Sequence, residues 1–153
     1  MNQTAPKNQS WTVAMPANLA LIKYMGKRDP LLNQPYNTSL SYTLNHLQSY
    51  VQLHVAEQDH WAPWPQSKHK TLQLNHKEQD RFIKHLQRIK QHLAFKGCFQ
   101  IQSYNDFADK CGLASSASSF AALTQCAINA ICDIKQINRL PRHDAATLSQ
   151  YGS

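Results

Sequence analysis

Two short segments carry the residue types that handle phosphate. In the first, Gly112-Leu113-Ala114-Ser115-Ser116-Ala117-Ser118-Ser119, a glycine is followed by small and hydroxyl side chains and then by a long Ala-rich stretch. A helix starting there leaves several backbone N–H groups without intrahelical partners, and its dipole favours an anion at the same end. Small side chains let a phosphate reach the backbone, and serine hydroxyls add donors or help hold a metal ion. The plainer meaning is a serine N-cap on a buried helix. The segment is not a Walker A loop, because no Gly-Lys-Ser/Thr follows the glycine. In the second segment, Lys23-Tyr24-Met25-Gly26-Lys27-Arg28-Asp29, three cations fall within six residues at the end of an apolar strand. Such a cluster can clamp an anion with directed donors. Its commoner meaning is a solvated basic turn.

Other constellations are weaker. His46, His54, His60, His69, His76, His85, His92 and His143 are scattered. Only His85 and His92 share a helix face, too far apart to pinch one ion, so these read as surface or partly buried histidines and no metal ligand is assigned. Cys98, Cys111, Cys126 and Cys132 form no CxxC pair, which points to a reduced, cytoplasmic protein. Cys126 and Cys132 read as small core residues. Arg81, Lys84, Arg88 and Lys90 surround an ordinary amphipathic helix, a solvated face rather than a nucleic-acid surface. Trp61 and Trp64 read as packing or loop anchors.

Positioning the two phosphate-handling segments falls to a chain of 153 residues, 42% hydrophobic, with room for about one domain and one core. Lys plus Arg number 16 against 9 Asp plus Glu, a formal charge of +7, so an anionic partner is expected. No apolar run reaches the roughly 18 residues that span a bilayer. The polar start lacks the apolar core of a signal peptide, so neither membrane nor secretion is expected.

The elements follow from periodicity and breakers. Residues 1–10 read as a disordered lead. A strand begins at Trp11 and runs through Leu19 to Ile22, bent near Pro16. Asp29–Asn37 reads as a loop, and Ser39–Tyr42 and Tyr50–Ala56 as a pair of strands. His60–Lys70, rich in Pro and Trp, reads as a loop or hairpin crossing, with a short strand at Thr71–Leu74. Phe82, Ile83, Leu86, Ile89 and Leu93 predict a helix over Lys77–Phe95, stopped by Gly97. Phe99, Ile101 and Ser103 alternate with Gln100, Gln102 and Tyr104 as a strand, followed by a loop from Asn105 to Gly112. Ala114–Ile134 is a helix buried on most sides, with Phe120, Leu123, Ala127 and Ile131 on one face. Pro141 opens a last helix that runs to Tyr151. Strands dominate early and helices late, which makes the class α+β.

In combination the motifs are more specific. The runs Pro16 to Asp29 (PANLALIKYMGKRD), Leu32 to Leu44 (LNQPYNTSLSYTL) and Gly112 to Ser118 (GLASSAS) resemble, in order and spacing, the diphosphomevalonate decarboxylase family of the GHMP kinase superfamily. The resemblance extends from about Trp11 to Ser153, with His60 to Phe95 matching only in outline. It implies a GHMP kinase N-terminal domain (ribosomal protein S5 domain 2-like), a mixed sheet packed against helices, over residues 11–153. It also implies a truncated chain, since the rest of the substrate motif opened by Ser153, the family's catalytic aspartate and the C-terminal domain lie beyond this end, so residues 1–153 alone are expected to be inactive.

The activity so implied is ATP-dependent decarboxylation of (R)-5-diphosphomevalonate to isopentenyl diphosphate, by phosphorylation of the 3-hydroxyl and loss of phosphate with carbon dioxide. ATP and Mg2+ are the implied cofactors. By resemblance, Tyr24 and Lys27 hold the substrate diphosphate, with Met25 and Gly26 in the same segment, Lys23 near the reacting groups as a supporting catalytic residue, and Ser153 in the substrate motif. Arg81 is a further diphosphate contact or simply a surface arginine. Ser115 and Ser116, within Gly112, Leu113, Ala114 and Ala117, match the loop that binds ATP phosphates; Ser103 and Asn105 match a nucleotide-side segment before it. No nucleic acid and no membrane are implied, and a homodimer is. Met25 stands where the family usually has tryptophan, and Asp109-Lys110-Cys111 replaces the commoner Thr-Ala-Ala. Within the superfamily the alternatives are a mevalonate-phosphate decarboxylase or a mevalonate kinase; outside it, a non-catalytic polyanion-binding domain.

Overall fold

Residues 9–22, 27–29, 34–35, 40–65, 74–107 and 115–137 are described by the computed structural model. Strand β1 covers Ser10–Ile22 and pairs antiparallel with β4, Leu40–Ala56. Pro16 lacks the N–H a ladder needs, and β1 tolerates it as an edge strand with a register shift between Pro16 and Ala17. The bend expected near the proline is this shift. The ladder steps from Pro16–Gln48 to Ala17–Leu44, so Asn45, His46 and Leu47 form a bulge in β4. Two strands were expected on either side of that break in alternation. They are one strand, because both halves pair with the same neighbour. Two residues expected in the lead are placed in the fold: Ser10 belongs to β1 and Gln9 donates from its side-chain amide to Asp133 at 2.9 Å.

Between β1 and β4, β2 (Lys27–Asp29), at the end of the basic segment, and β3 (Gln34–Pro35), inside what reads in sequence as a loop, form a small antiparallel ladder. Strand β6, Cys98–Asn105, alternates as expected, with Phe99, Ile101 and Ser103 turned inward, and takes in Asn105, also turned inward, which was expected to open the following loop. His60–Pro63, expected as loop or hairpin, is β5, a parallel edge strand on β6. Its sequence has no strand periodicity, and tertiary bonds hold it instead. Asp59 accepts the Phe99 N–H at 2.9 Å and pairs with Lys90 at 2.5 Å, while the Trp61 indole donates to Ser103 Oγ at 2.9 Å. Lys90 therefore leaves the solvated cationic face expected for it and sits 9% exposed in a paired, buried position.

Helix α1, His76–His92, starts at a capping box: the Glu78 N–H donates to Asn75 Oδ1 at 3.0 Å and the Asn75 N–H to Glu78 Oε2 at 2.9 Å. It stops before Gly97. The Ala94 N–H donates to the Gln91 carbonyl and the Phe95 N–H to the Lys90 carbonyl, a Schellman ending with Ala94 at φ 46° in the place glycine usually takes. Gly97 serves a different need, since a Cβ there would lie 2.5 Å from the Phe95 ring, which stacks on Phe99. Helix α2, Ser115–Lys135, is buried on most sides, as its Ala-rich sequence predicts.

The main sheet has the order β1-β4-β6-β5, and both helices cover one face. The core lies between: Val51, Leu53, Phe99 and Ile101 from the sheet meet Phe82, Leu86 and Ile89 from α1 and Leu123, Ala127 and Ile131 from α2. This is the mixed sheet and α+β class expected. Cys126 and Cys132 are core residues as expected, and Trp61 and Trp64 are anchors, Trp64 lying edge-on to Tyr104. No helix among the described residues is long and apolar enough to cross a membrane. The strand at Thr71–Gln73 and the helix after Pro141 lie outside the described residues, and Leu74 precedes α1 without strand structure.

Candidate functional site

The first turn of α2 contains Ser115, Ser116 and Ala117, with Ser116 and Ala117 exposed and Ser115 half-buried. The start of a helix carries backbone N–H groups that take partners from outside the helix. No acidic side chain lies in that turn, and Lys135 occupies the last one, so the positive end of the helix dipole is not neutralised by the helix itself. In α1 the capping box satisfies the corresponding groups internally. Gly112, Leu113 and Ala114, which lead into the turn, lie outside the described residues.

Beneath this turn the α2–sheet contact changes from apolar to polar. Ser49 of β4 lies 2.6 Å from Ser118, hydroxyl to hydroxyl; Ser118 Oγ donates to the Ser115 carbonyl at 3.1 Å, and Ser119 Oγ donates to Asn105 Oδ1 at 3.5 Å. All four polar side chains are buried. Just past them Asp106 closes the β4–β6 ladder, its carboxylate accepting the Gln48 N–H at 2.6 Å and its own N–H donating to the Gln48 carbonyl at 3.1 Å. Asn105 thus meets α2 at Ser119. Ser103 faces the interior, 1% exposed, with its hydroxyl engaged by the Trp61 indole. Ser49 escaped the motif reading; its signal was a serine in register with the inward-facing Val51 and Leu53.

Helix α2 runs antiparallel to β1. Ser118 lies over Ser49, which pairs with Met15, while Asp133 accepts from the Trp11 indole at 3.0 Å. The β1–β4 ribbon continues past the start of α2 to Ile22 and Leu40. The basic segment leaves β1 at that end of the molecule. Lys23, Tyr24, Met25 and Gly26 lie outside the described residues, as does Ser153; Lys27 opens β2, opposite Pro35. Arg81 is exposed on α1 with its guanidinium 5.3 Å from the Phe120 ring centre, at the seam with α2. Among the described residues no three His, Cys, Asp or Glu side chains gather to hold a metal ion.

His85, expected at or near the surface, is in the core at 2% exposure, its Nε2 2.7 Å from Thr124 Oγ1 and its ring edge-on to Phe120. Burial, with help from Arg88 and only partly opposed by the nearby Phe120 backbone, lowers its pKa to about 4. The Cys126 thiol donates to the Trp11 carbonyl at 3.1 Å, and burial pushes its pKa up to about 12, which leaves it inert as a nucleophile.

The profile of the diphosphomevalonate decarboxylase-like N-terminal domain matches residues 15–153. The chain belongs to the diphosphomevalonate decarboxylase family. It is 35% identical over 147 residues to the diphosphomevalonate decarboxylase mvd1 of Aspergillus fumigatus, covering 85% of this chain and 34% of that protein. The crystal structure of a mevalonate diphosphate decarboxylase from Legionella pneumophila superposes with a TM-score of 0.83 at 45% identity, over 95% of this chain and 47% of that one. The Enterococcus faecalis enzyme, solved in complex with MVAPP, AMPPCP and magnesium, superposes at 0.75 and 26% identity, over 94% of this chain and 42% of that one. The chain spans about a third of the length of the curated diphosphomevalonate decarboxylases it matches. Like the resemblance, the superpositions extend across the described sheet and both helices.

Proposed function

We propose that this chain is the N-terminal domain, residues 11–153, of an ATP-dependent diphosphomevalonate decarboxylase, which phosphorylates the 3-hydroxyl of (R)-5-diphosphomevalonate and releases phosphate and carbon dioxide to give isopentenyl diphosphate. Family membership over residues 15–153 carries the reading, and the serine-rich first turn of α2, which has no acidic side chain, supports it. The backbone N–H groups of Ser115, Ser116 and Ala117, with Gly112, Leu113 and Ala114 leading in, receive ATP phosphates, and Asn105 braces the turn from below. Tyr24 and Lys27, with Met25 and Gly26, hold the substrate diphosphate, Lys23 lies near the reacting groups, and Ser153 and Arg81 add contacts on the same anion. Phosphoryl transfer depends mainly on such positioning and charge stabilisation. The donor set suits Mg2+, a hard cation that keeps phosphate and water oxygens around it, since serine hydroxyls are at hand. When bound, Mg2+ offsets phosphate charge.

The free thiols Cys98, Cys126 and Cys132 suit a cytoplasmic enzyme, and a homodimer is the assembly the resemblance implies. The test is substrate choice by the full-length protein with MgATP. Carbon dioxide and phosphate are expected from mevalonate diphosphate. Turnover of mevalonate or its monophosphate, with none of the diphosphate, assigns the related activities instead.

A further inference from the structure

Helices α1 and α2 run parallel. Phe82 stacks on Phe120 with ring centres 4.9 Å apart, His85 meets Thr124 at 2.7 Å, and Lys135 at the end of α2 donates to the Leu93 carbonyl, where α1 ends, at 2.8 Å. Contacts in that order put both helix starts at one end of the molecule, the end at which the basic segment leaves β1.

Near its start α1 exposes Lys77, Arg81 and Lys84, spaced by four and then three residues. At 3.6 residues per turn these cations lie on one stripe, within about 60° of arc and roughly 10 Å long. The stripe borders α2, since the Arg81 guanidinium lies 5.3 Å from the Phe120 ring centre. A solvated helix face explains the exposure but not the single sign. Lys77 and Arg81 repel at i,i+4, and Lys77 in the first turn opposes the helix dipole, so the arrangement costs the helix stability. The two acids of α1 do not relieve it. Glu78 is committed to the capping box, Asp80 lies beside the stripe, and neither Lys77 nor Lys84 has an ion-pair partner among the described residues.

We propose that Lys77 and Lys84 draw phosphorylated substrate towards the site by their field: with Arg81 between them they form a cationic approach along α1, and neither lysine contacts the bound ligand. The proposal rests on the decarboxylase reading above and adds two residues to which that reading gives no binding role. Mevalonate diphosphate combines a carboxylate with a diphosphate, so unneutralised cations raise both its local concentration and its rate of encounter. Attraction of this kind acts through water and is screened over about 10 Å at 0.1 M salt, whereas a desolvated contact is screened much less.

The test uses the full-length protein with mevalonate diphosphate and saturating MgATP over a series of ionic strengths. Lys77→Gln combined with Lys84→Gln is compared with Lys96→Glu, an exposed position past the other end of α1 that changes the net charge equally. Thermal melts confirm the folds. In the double variant kcat/KM is expected to fall roughly three- to tenfold at low salt with kcat unchanged, and to converge with the unsubstituted protein as salt rises. Lys96→Glu is expected to follow the unsubstituted protein. A folded double variant with unchanged kcat/KM and salt dependence overturns the proposal. So does a matching loss in Lys96→Glu, which assigns the effect to net charge, or a loss undiminished at high salt, which makes the lysines direct contacts. Absence of turnover in the unsubstituted protein overturns the decarboxylase reading and this proposal together.

Discussion

His85 illustrates how one side chain's state follows from its neighbour's proton. Thr124 donates its only hydroxyl proton to the Phe120 carbonyl at 2.8 Å, so the 2.7 Å contact with His85 is an Nε2–H donation, and His85 Nδ1 is left buried without a partner. Protonation would put a second N–H into that apolar site, near Arg88 and beside the ring over which Arg81 lies. Because the folded pKa of about 4 lies below the unfolded 6.5, the unfolded chain takes up the proton first on acidification. The contribution is fully present above pH 6.5 and is lost as pH falls towards 4, on the order of 3 kcal/mol at full effect. Urea unfolding from pH 7 to 4 is expected to show that loss in the natural protein and to lack this component in His85→Gln. At the same scale, if Lys27 holds the diphosphate as proposed, Lys27→Ala in the full-length protein is expected to raise KM for mevalonate diphosphate at least tenfold with a smaller change in kcat. Unchanged substrate affinity would remove Lys27 from the site.

The helices differ in how they are bounded. Helix α1 carries its own start signal in Asn75 and Glu78, but its end relies on Ala94 in a left-handed conformation that Cβ disfavours. Ala94→Gly is expected to stabilise the protein by about 0.5–1 kcal/mol, read as a higher urea midpoint at unchanged slope. No gain would mean that Ala94 is held by packing that glycine forfeits. The apolar pattern of α1 extends through Leu93 to Phe95, because those residues still face the core after the helix has ended. Periodicity reports burial, and burial outlasts the helix here. The reverse holds for β5, where pairing with β6 exists without any period, since an edge strand held by Asp59, Lys90 and Trp61 needs no alternation of its own.

For the molecule as a whole, two helices cover one face of a four-stranded sheet, and the β1–β4 ribbon runs on beyond the start of α2, where Leu19, Leu21, Ile22, Leu40 and Tyr42 are exposed. The first turn of α2 and the exit to the basic segment therefore lie at one end of the fold. If α2 receives ATP there, MgATP at a hundred times its Kd is expected to stabilise the native state by about 2.7 kcal/mol, seen as a rise in melting temperature that saturates with nucleotide. An unmoved melting temperature at saturating MgATP argues against the turn as a nucleotide site.

By itself the sequence determined the class, the two helices, the inward face of β6 and the order of the motifs that carry the family resemblance. These follow from apolar spacing, capping residues and a glycine-serine run, all of which act over a few residues. Only the tertiary structure decided that β4 is one bulged strand, that His60–Pro63 completes the sheet, that Lys90 and His85 are buried, and that Ser49 lies under Ser118. Each of these depends on a partner tens of residues away, such as Asp59 for Lys90, Thr124 for His85 and Ser118 for Ser49. A local pattern shows that a side chain can be buried or bonded; only the packed fold supplies the group that makes burial of its polar atoms affordable.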